Sequence, residues 1–190
     1  MRSIFIGILI ALFIVAAAPD AHAQGFISPL VGYNFGGDAG CPNPTNCEDK
    51  KLNAGVALGA MGSLFGIEEE FAYSKDFFGS SPNRSSSVLT LMTNLMIAPK
   101  LGMVVPYALA GVGLLKTHVD FAPSSILTAD NNNVGWDVGG GVMVFVSNHV
   151  GLRGDLRYFH AFQDLNVLGF TVKDPKLDFG RVSAALVLKF

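Results

Sequence analysis

The chain has 190 residues, half of them hydrophobic, with 13 Lys+Arg against 15 Asp+Glu and a formal net charge of −2. That balance points away from nucleic acid as a partner. Beyond the first 23 residues no apolar run is long enough for a membrane helix, and no linker or composition shift divides the chain into two domains.

Residues 1–23 read as a signal peptide. Arg2 supplies the positive start, Ile4 to Ala18 is an unbroken apolar run, and Ala21-His22-Ala23 is a small-x-small cleavage site. The run stops short of a membrane span and breaks at Pro19-Asp20, so the mature domain is expected to be 24–190.

From there apolar residues alternate with Gly, Ser, Asn and charge, the period of a strand with two unlike faces. The first strand, 25–35, sets Ile27, Val31, Tyr33 and Phe35 against Ser28, Gly32 and Asn34, and Pro29 predicts an irregular start. A polar, turn-rich loop over 36–51 follows. The second strand, from Leu52 to about Met61, turns Leu52, Val56 and Leu58 one way and Asn53, Gly55 and Gly59 the other. After a short turn, the third runs from Phe65 to about Ser74, with Ile67, Phe71 and Tyr73 opposite Glu68, Glu70, Ala72 and Ser74. Its register puts Glu69 on the apolar face, where it needs either a bulge or a polar partner.

A second long loop leads to a strand from Val88 to about Ala98, and a short turn over 99–104 leads to the fifth strand, with Tyr107, Gly111 and Gly113 on its small-residue face. Gly111-Val112-Gly113 sits mid-strand without a following helix and is not a phosphate loop. Loop 118–132 precedes the sixth strand, where Asp137, Gly139, Gly141 and Met143 oppose Trp136, Val138, Val142 and Val144. The turn at Ser147-Asn148-His149 gives way to the seventh strand, with Arg153, Asp155 and Arg157 on one face and Leu152, Leu156 and Tyr158 on the other. Loop 160–176 then brings in the last strand, Leu177 to Phe190, which carries Arg181 on its mixed face and alternates to the final residue.

Connections thus run long, short, long, short, and aromatics gather at strand ends: Tyr33, Phe35, Tyr73, Phe77, Trp136 and Tyr158 beside the long loops, Phe65 and Phe190 at the opposite rim. This is the pattern of an eight-stranded antiparallel up-and-down transmembrane β-barrel with two aromatic girdles. An apolar last strand with no bare edge requires pairing with the first. Inward charge on the third and seventh strands argues against a soluble lipid carrier, which would put its apolar face inside. In so narrow a barrel Arg153, Asp155 and Arg157 are expected to meet Glu68 or Glu70 across the lumen, with Asp137 and Arg181 in the same cluster, as a paired polar plug. A small-solute pore is the alternative.

Pro106-Tyr107 followed by Gly111 and Gly113, the run Gly151-Leu152-Arg153-Gly154-Asp155-Leu156-Arg157-Tyr158, and the terminal Phe190 resemble the small eight-stranded outer-membrane barrels related to the transmembrane domain of outer-membrane protein A. The resemblance spans essentially the whole mature chain and rests on pattern more than on an invariant motif. It implies a place in the bacterial outer membrane among its lipids and lipopolysaccharide, and a terminal Phe190 read by the barrel-assembly machinery. A structural or surface-interaction role through four long loops, as a monomer or weakly associating species without cofactor or metal, is expected. A periplasmic peptidoglycan-binding domain, and with it a tethering role, is not expected.

Lipid A deacylases of this membrane are also eight-stranded and place a Ser two residues after a lipid-facing His. Here His160 is followed by Ala161-Phe162-Gln163, His118 has no Ser at that spacing, and His149 falls in a short turn. An enzyme is therefore the weaker reading. Cys41 and Cys47 share the first long loop, and a secreted chain passes through an oxidising compartment, which predicts an intraloop disulfide.

Overall fold

The structure, a computed structural model, describes residues 23–36, 50–75, 77, 84–121, 128–167 and 170–190. Eight antiparallel strands follow one another: β1 (Gln24–Phe35), β2 (Lys50–Met61), β3 (Phe65–Lys75), β4 (Arg84–Ile97), β5 (Val104–Phe121), β6 (Thr128–Phe145), β7 (Val150–Val167) and β8 (Phe170–Lys189). Each pairs with the next and β8 pairs with β1, so the sheet closes and has no edge. The expected fold class is borne out.

The period of two decides which side chains meet lipid. Val31, Leu58, Leu95, Val112, Leu152 and Leu156 are exposed on the outer wall, while the residues on either side of them in each strand face the lumen. Glu69 points outward as its parity requires. The pairing of β3 with β2 and β4 is continuous, so no bulge re-aims it. Instead the cross-strand residue Thr93 places its Oγ1 2.8 and 2.9 Å from the two carboxylate oxygens.

The seam between β1 and β8 runs from Phe26↔Lys189 to Phe35↔Gly180 but skips Ser28 and Pro29. Pro29 has no N–H to give, and its pairing with Val56 on the other side survives. Below the gap Phe190 N donates to Gly25 O at 2.9 Å, and the Phe190 ring lies over Gly25, where a Cβ would come within 2.5 Å of it. The short turns are equally compact. Gly62 N donates to Phe65 O at 2.8 Å, Gly102 adopts a left-handed φ of 68° in the β4–β5 turn, and Ser147 Oγ accepts from Val150 N at 3.1 Å.

Two expectations are corrected. Most of the segments read as loops 118–132 and 160–176 are strand: β5 continues to Phe121, β6 begins at Thr128, β7 reaches Val167 and β8 starts at Phe170. Past the hydrocarbon the outer face no longer has to be apolar, so the alternation fades while the strands run on, in continuous pairing between β5 and β6 and with register shifts between β7 and β8 beyond His160. Phe77 is not a girdle residue. It lies beyond the end of β3, turns in over the lumen, and is fully buried with its ring edge-on to Phe179 at 5.0 Å. The girdle itself keeps Tyr33, Tyr73 and Tyr158 outward, with Trp136 5.8 Å from Tyr158, and Phe65 and Phe190 exposed at the opposite rim.

Candidate functional site

Small residues on one wall make room for long ones on the other. Inward positions of β1 to β3 are held by Ser28, Gly32, Gly55, Ala57, Gly59 and Ala72, and from β7 and β8 Arg153, Arg157 and Arg181 extend into the space they leave. All three guanidinium groups and the carboxylates of Glu68, Glu70, Asp137 and Asp155 are buried in the lumen.

Arg157 is the hub. Its Nη2 lies 2.8 Å from Glu68, 2.9 Å from Glu70 and 3.4 Å from Asp155, and its Nη1 lies 3.5 Å from Asp137, so it touches every carboxylate of the cluster. Arg153 forks onto Glu68 and donates from Nε to Asp155 at 2.9 Å. Arg181 donates from Nη1 to Glu70 at 2.8 Å and from Nε to Asn34 Oδ1 at 2.8 Å. The pairs of Arg153 and Arg157 with Glu68 and Glu70 join β7 to β3 on opposite walls, as expected for residues of equal height. Asp155 departs from the expectation. An acid cannot pair with Glu68 or Glu70, and it is held by Arg153 and Arg157 of its own strand, by Tyr107 Oη at 2.8 Å and by Ser183 Oγ at 2.6 Å.

Uncharged residues that the sequence reading did not assign to the cluster complete it. Tyr107 accepts from Arg153 Nε at 2.7 Å with the guanidinium 4.8 Å from its ring centre, and Thr90 takes two contacts from Arg181 at 3.3 Å. Asn94, oriented by its hydrogen bonds, donates to Asp137 at 2.7 Å and accepts from Arg157 Nη1 at 3.2 Å. Inward parity was the available signal for each, but their partners stand on distant strands. Burying so many charges is tolerated when most lone pairs and N–H groups find partners, and in this cluster Arg157 Nε and Asn34 Nδ2 are left without a hydrogen-bond partner.

Apolar layers lie above and below. Toward the short turns Phe26, Met61, Met96, Met143, Phe145 and Val187 form one buried cluster. Toward the loops Phe77, Met92, Leu115, Phe159, Leu177 and Phe179 form another. Arg181 spans the upper boundary, its guanidinium 4.5 Å from the Phe159 ring centre, and Phe159 stacks on Phe179 at 4.8 Å. A uniformly polar lumen is thus not what the barrel contains.

On the outer wall near the upper girdle, His160 Nδ1 lies 2.5 Å from Asp178 Oδ1, with the Trp136 ring 5.5 Å away. His160 therefore has an acid beside it that no sequence spacing reveals, because Asp178 reaches it only through the β7–β8 register. Cys41 and Cys47 lie outside the described residues, as does most of the signal segment.

Residues 8–190 match the outer membrane protein beta-barrel domain family. No curated protein matches the chain. Among solved structures it is similar to Neisserial surface protein A, with a TM-score of 0.66 and 16% identity over 87% of this chain and 97% of that one. It is similar also to the attachment invasion locus protein Ail of Yersinia pestis, in complex with the heparin analogue sucrose octasulfate, with a TM-score of 0.58 and 13% identity over 88% and 99%. For outer membrane protein W of E. coli the values are 0.52 and 15% over 90% and 100%. At these identities the likeness to solved structures is one of fold. The family match carries the conclusion: the chain belongs to the outer membrane protein beta-barrel domain family, and its place is the bacterial outer membrane, among lipids and lipopolysaccharide.

Proposed function

We propose that this barrel is a closed one, plugged by its charge cluster, and that it serves the envelope as a structural or surface-interaction protein through its extracellular hairpins. The observation that carries the reading is the three-part lumen, with Arg153, Arg157 and Arg181 neutralised by carboxylates between the two apolar clusters. Ions entering from either mouth would meet buried rings and methionines before the charges, although polar side chains such as Asn53, Ser74, Thr117 and Asn133 share the loop-side level. Single-channel recording in planar bilayers tests it: the refolded mature chain is expected to show no discrete conductance steps. Steps that respond to Glu68→Ala or Arg157→Ala would establish the small-solute pore instead.

A non-enzymatic role is part of the proposal. His160 has Asp178 beside it, but its outward neighbours Trp136, Tyr158 and Phe162 bring no serine or cysteine nucleophile. Surface interaction is supported by the kind of protein that shares the fold, an attachment invasion locus protein among them. The proposal includes removal of residues 1–23, a Cys41–Cys47 disulfide formed in the periplasm, and reading of Phe190 by the barrel-assembly machinery.

A further inference from the structure

Above the upper girdle the outer wall is not uniform. Tyr73 marks the level of the interface on β3, and Lys75, two residues further out, is exposed on the same face. On β5 the outward residue Lys116 stands beyond Val112 and Leu114 and is likewise exposed. Strand β4 lies between the two. Its Ser87 pairs with Lys75, and its Leu89 pairs with Tyr73 on one side and Lys116 on the other. Two strand steps and two residues therefore separate the lysines, about 12 Å between Cα atoms, a gap that two long flexible side chains can narrow.

Neither lysine has a carboxylate partner among the described residues, and Glu69, the outward acid of β3, lies six residues deeper than Lys75. Beneath the lysines Phe71, Leu91, Val112 and Leu114 continue the same face as an exposed apolar column. The far side of the barrel is different. At this level β1, β6, β7 and β8 present Tyr33, Trp136, Tyr158, His160 and Asp178, with no outward lysine or arginine among the described residues.

We infer that the wall formed by β3, β4 and β5 is a docking site for lipid A, with Lys75 and Lys116 on its two phosphates and its acyl chains along the apolar column. The occupant follows from charge and depth. Unpaired ammonium groups at the top of the hydrocarbon stand where the phosphates of a lipid lie, and apolar surface directly under them fits an amphiphile and not a free anion. The long hairpins of such barrels face outside, so the leaflet at this rim is the outer one, and its phosphorylated lipid is the glycolipid. Neither the lumen nor the hairpin tips take part, and the site stands whether or not the barrel conducts.

The test is native mass spectrometry of the refolded mature chain, titrated in micelles with diphosphoryl lipid A and, in parallel, with monophosphoryl lipid A and phosphatidylglycerol. Folding of each variant is checked by its heat-modifiable migration on gels. The wild type is expected to retain diphosphoryl lipid A in preference to the other two. Lys75→Gln and Lys116→Gln should each weaken that retention about fivefold, and the double variant roughly thirtyfold, the effect of one and two basic residues at a membrane surface. Lys100→Gln removes the same charge from the turn between β4 and β5 at the opposite rim and should change nothing. Equal retention of the three lipids, a double variant that binds as the wild type does, or an equal loss with Lys100→Gln would each overturn the inference.

Discussion

Arg157 on β7 reaches Glu68 on β3 across the full width of the lumen, with 2.8 Å between Nη2 and Oε1. The same guanidinium serves Glu70, Asp137 and Asp155, so three buried arginines face four buried carboxylates and one arginine is common to them all. Arg157→Ala should accordingly be the costliest single change in the cluster. It leaves the acids in larger excess, and a buried pair broken from one side typically costs about 3–5 kcal/mol. Asp137→Asn removes a carboxylate from the side already in excess and should cost far less. Urea unfolding in lipid vesicles measures both, and equal losses would mean that the charges do not act as one network.

Arg153 and Glu68 offer a cleaner pair. Either one replaced by Ala leaves the other buried with fewer partners, whereas removing both deletes a matched set. The double variant should therefore recover part of the summed loss, with a coupling of roughly 1–3 kcal/mol in a double-mutant cycle. Strict additivity would show that the two residues contribute independently.

Glu69 and Thr93 should behave in the opposite sense from the lumen pairs. A mid-depth carboxylate on the lipid face is a liability even with a hydroxyl beside it, so Glu69→Leu is expected to be neutral or stabilising in refolding titrations. Thr93→Val takes away the donor and leaves the acid, which should cost about 1–3 kcal/mol. The double variant should return to the stability of Glu69→Leu alone.

Gly113 and Gly154 test how tightly the wall is built. A Cβ on Gly113 would stand 2.0 Å from Leu91 O and 2.7 Å from Met92 Sδ, whereas one on Gly154 would meet nothing within 4 Å. Gly113→Ala should therefore cost about 1–3 kcal/mol from forced backbone movement, and Gly154→Ala close to nothing. Equilibrium unfolding of the two variants side by side decides it.

What could be read from the residues was whatever the alternation controls. Parity alone puts Glu68, Glu70, Asp137, Arg153, Asp155, Arg157 and Arg181 inside and Glu69 outside, and equal strand starts bring the third and seventh strands to matching heights. Parity says nothing of how neighbouring strands are offset, so Thr93 beside Glu69, Asp178 beside His160 and Tyr107 beneath Arg153 emerge only with the register. It is equally silent about layering. Phe159 and Phe179 share the inward face with Arg157 and Arg181, and only the barrel shows that the rings gather two residues above the charges. Phe77 was misplaced for a related reason, since an aromatic residue near a strand end has the same appearance whether it rests on lipid or folds over the mouth.

The seam at Gly25 and Phe190 has a consequence for how the barrel is made. Seven of the eight strand pairings join consecutive segments and can form as hairpins, but the eighth joins the two extremes of the domain and lacks the pairs at Ser28 and Pro29. Its loop-closure entropy is the largest in the molecule, and until it forms, two raw margins of backbone face outward together. Biogenesis therefore has a vulnerable interval, during which a nascent curved sheet has to be guarded from joining a neighbour, and that interval ends when the first and last strands meet.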